Sequence, residues 1–410
     1  MSVQYLTKLF QKRIYLKLIT IGLFIQITSL FRSYPPDHPC GRVLDINSVM
    51  RVLINCDSAV YMKDAQNPIR LFNGESVYQD RPIPTFFVAI LAKFWHFLKL
   101  PDYYREILGN SGGVVTYSLV TYAFFLVLST AILVLTIYIG IKSLSLIQQK
   151  LNVPHEIFVS VACVYVAVIS MNEITKTFFW TPGSQIFNLL LPIYAFYLTF
   201  FSYQPASTKF YLSQAFIFSL LLFSYAFFVL LLIPLLLTKW SNLKLRILIT
   251  SIPLLMYLSY PFLLNMFGGE YNNFAVGYRR MYIWVLDAYN QEILYTKLNE
   301  FLGFFIKSVA IIPTIILMLY VIAFVLMPKN VTLSFKNELI LVFFHILMIS
   351  FYGYYSRRLT FPIIILLFLI LIKIFFCLKD RIQIKILHTS LYVILIFIVC
   401  SWIFTLGPLV

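Results

Sequence analysis

The chain alternates between long apolar runs and short stretches that carry basic residues. A run of about 18 or more apolar residues is long enough to cross the hydrocarbon core of a bilayer as a helix. The run 210–238 is longer still, and we divide it into two short spans hinged near Ser224 and Tyr225, because this keeps the next basic cluster on the inner side. The pattern predicts an all-α, polytopic transmembrane bundle of about eleven spans. The predicted spans are 14–31, 114–141, 156–172, 183–203, the two halves of 210–238, 247–264, 304–327, 338–353, 361–378 and 387–407.

The apolar segment 82–100 is interpreted differently. It carries Lys93, His96 and Lys99 at intervals of three, which places these polar groups on one side of a helix. A helix with such a stripe suits the membrane interface better than the membrane interior. We therefore predict one long external loop, residues 32–113, that contains juxtamembrane amphipathic helices.

Composition and charge support the membrane prediction. The chain of 410 residues is 60% hydrophobic and only 12% charged, which is too much apolar surface for a water-soluble core. The net charge of +16 comes from short clusters between apolar runs, the pattern that orients helices in a bilayer, and this argues against nucleic-acid binding. Lys8, Lys12 and Arg13 precede the first run, so we expect a cytoplasmic N-terminus and a retained first span. The prediction is a single integral membrane domain, 1–410, with a second external loop at 265–303.

Six of the sixteen carboxylates of the chain gather in the first part of the first external loop, within residues 37–80. They are Asp37, Asp45, Asp57, Asp64, Glu75 and Asp80. Solvation of the loop accounts for most such groups taken singly. Cys40 and Cys56 lie in the same loop, where an external compartment permits a disulfide, and whether they pair stays open.

Two arginine pairs stand on the predicted outer face, where the orientation rule disfavours basic residues. They are Arg279 with Arg280 in "GYRRMY", and Arg357 with Arg358 in "YYSRRLTFP". Arginine holds its charge and matches phosphate oxygens with two parallel hydrogen bonds. The alternative interpretation is that these side chains extend to lipid headgroups. We treat the pairs as candidate anion ligands.

A carboxylate and arginines at the mouth of one bundle supply a general base and an anion site together. The base can take a proton from an acceptor hydroxyl or amine, while the arginines bind a phosphate leaving group. A glycosidase needs a second carboxyl group as an acid. A phosphodiester leaves as an anion, so one base and cations suffice. This combination fits sugar transfer from a lipid phosphate.

The stretch "AVYMKDAQNP", followed by "LFNGESVYQDRPIPTFF", resembles the first loop of the GT-C fold glycosyltransferases that use polyprenyl-phosphate sugars. The quoted pattern is similar to that of the protein O-mannosyltransferases and of the transferases that add aminoarabinose to lipid A. The resemblance implies that Asp57 is the catalytic base, with Tyr61 following it. It also implies that Arg81, before Pro82, binds the donor phosphate together with Arg357 or Arg358.

Five further residues are candidates for supporting roles in the site. Tyr61, Asp64, Asp80, Arg279 and Arg280 are the supporting candidates. The resemblance implies inverting sugar transfer to a glycan, lipid or protein acceptor. The reaction would take place on the non-cytoplasmic side of a bacterial inner membrane, where the protein also contacts membrane lipid.

The chain departs from the family pattern at the acidic positions. Many members have two adjacent acids in the first loop, whereas Ser58 follows Asp57 here, and "TPGSQIFNLLLPI" carries Ser184 and Gln185 near where an acid is often found. No cofactor is therefore predicted with certainty, and a divalent metal stays open. The nature of the sugar and of the acceptor cannot be carried over from the resemblance.

Two other functions fit parts of the sequence. A secondary transporter agrees with the number of spans, although transporters place ionisable residues near the bilayer midplane, where Lys373 is the clearest example here, and we find no repeat. A surface-polysaccharide polymerase or ligase uses the same lipid-linked donors. It agrees with the second external loop, which contains "YRRMY".

Overall fold

A computed structural model describes most of the chain. The described residues are 3–28, 41–45, 51–108, 114–200, 208–237, 243–271, 291–304, 336–352, 357–377 and 384–406. Cys40, Arg279 and Arg280 lie outside them, so the question of a Cys40–Cys56 disulfide also falls outside the described residues.

Most of the described residues are helical, which confirms the predicted helical class. Short 3₁₀ segments occur at Pro68–Leu71 and Ala226–Leu231. The α-helices are α1 (Val3–Thr28), α2 (Cys56–Gln66), α3 (Pro82–Phe97), α4 (Leu119–Leu151), α5 (His155–Ser170), α6 (Glu173–Trp180), α7 (Phe187–Phe200), α8 (Thr208–Leu222), α9 (Leu232–Leu237), α10 (Leu243–Met266), α11 (Gln291–Phe304), α12 (Lys336–Tyr352), α13 (Arg357–Cys377) and α14 (Ile384–Leu406).

The first loop also contains two β-hairpins, which the sequence pattern did not predict. Strand β1 (Gly41–Asp45) pairs antiparallel with β2 (Arg51–Asn55), and β3 (Tyr104–Leu108) pairs antiparallel with β4 (Val114–Ser118). The strands are five residues each and rich in Val, Ile, Leu and Tyr, residues that favour extended structure. Strand β2 leads directly into α2, and β4 leads directly into α4.

One helix among the described residues, α4, is long and apolar enough to cross a membrane. The bent pair α5 and α6, with an angle of 63° between its two parts, would add a second span if the pair acts as one. Other apolar helices in the described part are shorter, including α3 and α7. The arrangement of eleven spans stays a prediction.

Helix α4 is the central element of the packing. It contacts α1, α3, α5 and α7, and it buries side chains along most of its length. Gly140 allows α5 to approach closely, because a Cβ atom at this position would lie 2.0 Å from the Tyr165 hydroxyl oxygen. That hydroxyl donates to the Thr136 carbonyl oxygen at 2.9 Å. The core therefore forms around the middle of α4, and its N-terminal end is left next to the first loop.

Helix α3 has a buried side and an exposed apolar side. Val88, Ala89 and Ala92 are buried where α3 packs against α2 and α4. Of the predicted polar stripe, Lys93 and His96 are exposed on α3, whereas Lys99 is exposed beyond the end of the helix, with a φ of 54°. Four large apolar side chains of α3 are exposed as well. These four are Phe87, Ile90, Phe94 and Phe97. The helix thus presents both apolar and basic side chains outward.

Candidate functional site

The predicted base stands at the start of α2, close behind strand β2. Asp57 lies in the first turn of the helix, where a carboxylate interacts favourably with the helix dipole. Tyr61 and Asp64 follow at the spacing that places side chains on one side of a helix. Asp57 is half-buried, whereas Tyr61 and Asp64 are buried. The first turn of α2 therefore holds Asp57 at the edge of a packed region.

Both carboxylate oxygens of Asp57 accept hydrogen bonds from neutral donors. The Tyr78 hydroxyl donates to Oδ1 at 2.6 Å. The Gln185 amide nitrogen donates to Oδ2 at 3.1 Å. These bonds fix the orientation of the Asp57 side chain from two different parts of the chain.

Tyr78 is held in place by its ring as well as by its hydroxyl. It stacks on Tyr61 with ring centroids 4.5 Å apart and an interplanar angle of 5°. Burial, together with the adjacent Asp57 carboxylate, raises the pKa of Tyr78 far above its ordinary value. The hydroxyl therefore stays protonated and remains a donor to Asp57.

The predicted phosphate ligand Arg81 is the N-cap residue of α3. Its guanidinium carbon lies 5.6 Å from the Tyr78 ring centroid and 5.3 Å from that of Tyr225. Its Nη1 atom lies 3.4 Å from the Ser184 Oγ, and its Nε atom lies 3.8 Å from Asp80 Oδ2. Tyr78 thus contacts both the candidate base, through its hydroxyl, and the candidate anion ligand, through its ring.

The segment between α6 and α7 reaches the same place. Ser184 is buried, and its Oγ lies 2.7 Å from the Tyr61 hydroxyl oxygen. Gly183 precedes it with φ of +153°, and a Cβ there would meet the Tyr61 ring at 3.3 Å. This tight approach brings the backbone of the segment against α2, so that Ser184 and Gln185 point into the site.

Helix α10 and the residues that follow it also contact the first loop. The Tyr257 hydroxyl donates to Asp80 Oδ2 at 3.3 Å. The Glu270 backbone N–H donates to the Phe72 carbonyl oxygen at 2.7 Å, and the Gln79 amide donates to the Glu270 carbonyl oxygen at 2.8 Å. The beginning of the second predicted loop therefore touches the first.

Asp64, predicted as a supporting residue, belongs to a separate cluster. Its Oδ1 accepts from Arg70 Nε at 2.9 Å, and its Oδ2 accepts from the Ser76 hydroxyl. Burial raises the pKa of the Asp64 carboxyl, and the hydrogen bonds from Ser76 and Arg70 act in the opposite direction. These contacts fold the loop between α2 and α3, which gives Asp64 a structural role.

The structure thus brings Asp57, Tyr61, Asp80 and Arg81 into one region. For Arg357 and Arg358 it describes only the backbone, at the start of α13. No role in the site is predicted from the sequence for Tyr78, Gln185 or Tyr225, although Gln185 lies near a position where the GT-C family often has an acid. Tyr78 was detectable, since it lies three residues before Arg81, but the other two are remote in sequence.

Metal-ligating side chains do not cluster around Asp57 among the described residues. No group of three or more His, Cys, Asp or Glu side chains suited to a metal ion occurs in the described part of the chain. Both Asp57 oxygens face donors, and Asp80 faces Arg81 and Tyr257. Each hydrogen bond to Asp57 uses one of the two lone pairs of its carboxylate oxygen.

Comparison with protein-family models, with curated proteins and with solved structures finds no match.

Proposed function

We propose that the protein is a membrane glycosyltransferase that moves a sugar from a polyprenyl-phosphate donor to an acceptor on the non-cytoplasmic face. The observation that carries the proposal is the position of Tyr78 between Asp57 and Arg81. A carboxylate that can take a proton and a guanidinium that can hold a phosphate thereby contact the same tyrosine side chain. A GT-C type fold is part of the proposal.

The proposed reaction is a single inverting displacement. Asp57 takes the proton of the acceptor hydroxyl or amine, and the acceptor atom attacks the anomeric carbon of the sugar. The bond between that carbon and the phosphate oxygen breaks, and its electron pair leaves with the polyprenyl phosphate. Arg81 balances the charge of the leaving phosphate through charge-assisted hydrogen bonds. The proton then leaves Asp57 to solvent.

Exposed apolar side chains support a membrane location. Phe24 on α1, Phe262 on α10 and Phe397 on α14 are exposed by 65%, 66% and 73%. Several helices expose large apolar side chains in this way, and extended apolar surface marks contact with lipid or another protein. Helix α4, with 33 residues, is the described helix that is long and apolar enough to cross a bilayer.

A transporter is the second candidate, and one observation favours it. The Lys373 ammonium of α13 is paired with the Glu338 carboxylate of α12, and both side chains are buried, with 4% and 3% exposure. Ionisable residues within membrane helices often mark ion or substrate paths. A buried ion pair that joins two neighbouring helices also has a structural explanation.

Reconstitution separates these functions. The purified protein in liposomes is supplied with radiolabelled polyprenyl-phosphate sugars and with envelope extracts as acceptors. The transferase predicts release of polyprenyl phosphate and transfer of the label to one acceptor, whereas a polymerase would extend its own product into a ladder. Intact sugar accumulating inside the liposomes, without donor consumption, would favour the transporter and refute the transferase.

A further inference from the structure

Two neighbouring residues, Ser184 and Gln185, reach two different groups of the site. The Ser184 Oγ lies 3.4 Å from Arg81 Nη1 and 2.7 Å from the Tyr61 hydroxyl oxygen. The Gln185 amide nitrogen lies 3.1 Å from Asp57 Oδ2. One peptide unit thus connects the candidate anion ligand with the candidate base.

The hydrogen-bond roles of these two side chains are set by chemistry. A guanidinium only donates, so the Ser184 oxygen accepts from Arg81 and can give its own proton to Tyr61. A carboxylate oxygen accepts, so the nitrogen of the Gln185 amide, and not its oxygen, faces Asp57. Both contacts are therefore directional and specific to the side chains present.

The backbone around this pair is fixed from both sides. Gly183 packs against the Tyr61 ring, as described above. After the pair, the Phe187 N–H donates to the Ser184 carbonyl oxygen at 3.2 Å, and the Asn188 N–H donates to the Gln185 carbonyl oxygen at 3.0 Å. These bonds form the first turn leading into α7. The two side chains are consequently held by a rigid helix start and not by a long loop.

We infer that Ser184 and Gln185 are positioning residues that align the Arg81 phosphate ligand with the Asp57 base. This inference rests on the proposed function. Ser184 acts through Arg81 and therefore affects the binding of the donor phosphate. Gln185 acts through Asp57 and therefore affects the chemical step. Two adjacent substitutions should then give two different kinetic signatures.

The test compares Ser184→Ala and Gln185→Leu in the full-length protein. Two quantities are measured for each variant: the Kd for a sugar-free polyprenyl phosphate, and kcat at saturating donor. Ser184→Ala should raise Kd about three- to tenfold, the loss of one hydrogen bond, and leave kcat within about twofold. Gln185→Leu should lower kcat at least about tenfold and leave Kd within about twofold. A misaligned base slows the chemical step but does not change how tightly the polyprenyl phosphate binds.

Matched controls come from helices outside the site. Ser219→Ala on α8 removes a hydroxyl bonded to the Ala215 carbonyl oxygen, and Gln148→Leu on α4 removes an amide bonded to the Val153 carbonyl oxygen. Both controls should keep wild-type Kd and kcat. If the Ser184–Gln185 pair has a purely structural role, both test variants should show a higher Kd and a lower kcat. That result overturns the inference.

The failure of the proposed function would look different. In that case the wild-type protein itself would consume no polyprenyl-phosphate sugar. The Kd measurement needs no turnover, so it still decides the inference: a wild-type Kd in Ser184→Ala refutes it, whether or not the wild type is an active transferase.

Discussion

The Gln185 amide donates to the Asp57 carboxylate at 3.1 Å, although 128 residues separate the two in the chain. The partner on the other carboxylate oxygen, Tyr78, comes from the same loop as Asp57. The candidate base is therefore held by one local contact and one long-range contact. This arrangement distinguishes Asp57 from Asp64, whose partners Arg70 and Ser76 are all close in sequence.

Replacing Asp57 by Asn should remove turnover and spare binding. Loss of a positioned base typically lowers the rate by about 10²–10⁴-fold. The donor should still bind, because its phosphate and lipid chain supply the affinity. Steady-state transfer and polyprenyl-phosphate binding are measured on the same preparation. Asp80→Asn is the comparison variant, and it should lose far less activity. Full activity in Asp57→Asn would refute the mechanism.

Replacing Arg81 should weaken donor binding in a graded manner. Arg81→Ala should lose about 1.5–3 kcal/mol of binding free energy, the contribution of hydrogen bonds to a charged group. Arg81→Lys should recover only part of it, because an ammonium loses the planar fork that stacks between Tyr78 and Tyr225. Titration with polyprenyl phosphate gives the Kd values. Equal affinity in wild type and Arg81→Ala would exclude Arg81 from the site.

Removing Arg70 should destabilise the protein in a pH-dependent way. Arg70→Met leaves the buried Asp64 without its ionic partner, at a cost of about 3–5 kcal/mol in the free energy of unfolding. Burial raises the pKa of Asp64 above its unfolded value, so the folded state binds the proton more tightly. The stability from Asp64 is then present at low pH and falls as the pH rises from about 4 through the raised pKa.

The double variant Asp64→Asn with Arg70→Met is the control for this effect. It has no carboxylate to desolvate, so its melting temperature should show a weaker pH dependence and exceed that of Arg70→Met above pH ~5. Thermal unfolding in detergent between pH 4 and 8 measures both variants. Parallel pH profiles for the two would contradict the assignment of the effect to Asp64.

Residues before and after α3 in the sequence should be accessible from the same side of the membrane. Asn73 and Lys99 are exposed and flank α3, and Lys150 is exposed near the end of α4. Single cysteine substitutions at these positions are labelled with an impermeant maleimide from either side. Asn73→Cys and Lys99→Cys should react from the outside, and Lys150→Cys from the inside. Opposite labelling of the first two would mean that α3 crosses the membrane.

The sequence predicted the parts of the site that depend on local pattern. The family resemblance singles out Asp57 and Arg81, and the structure places both in contact with Tyr78, while their roles in catalysis stay predictions. Helix α3 was predicted at 82–100 and is observed at Pro82–Phe97. These features are determined by residues within one or two helical turns, which a single sequence displays.

The features that the sequence did not reveal depend on tertiary contacts. The contacts of Gln185 with Asp57 and of Tyr225 with Arg81 could not be predicted, because they form only when α6, α7 and the 3₁₀ segment Ala226–Leu231 pack beside the first loop. Asp64 has the same residue type as Asp57, and only its contacts with Arg70 and Ser76 show that its role is structural. The two β-hairpins were not predicted, because their short strands lie in a region that was interpreted as a loop between membrane spans.

The distance in sequence between Asp57 and Gln185 also has a consequence for biosynthesis. A ribosome adds about 5–20 residues per second, so roughly 6–26 s pass between the synthesis of Asp57 and that of Gln185, which are 128 residues apart. Tyr78 is added 21 residues after Asp57, and until residue 185 is added it is the only one of the two donors to Asp57 that exists. Nascent chains arrested before residue 185 would therefore carry an incomplete site, which is completed only after the segment between α6 and α7 has been synthesised.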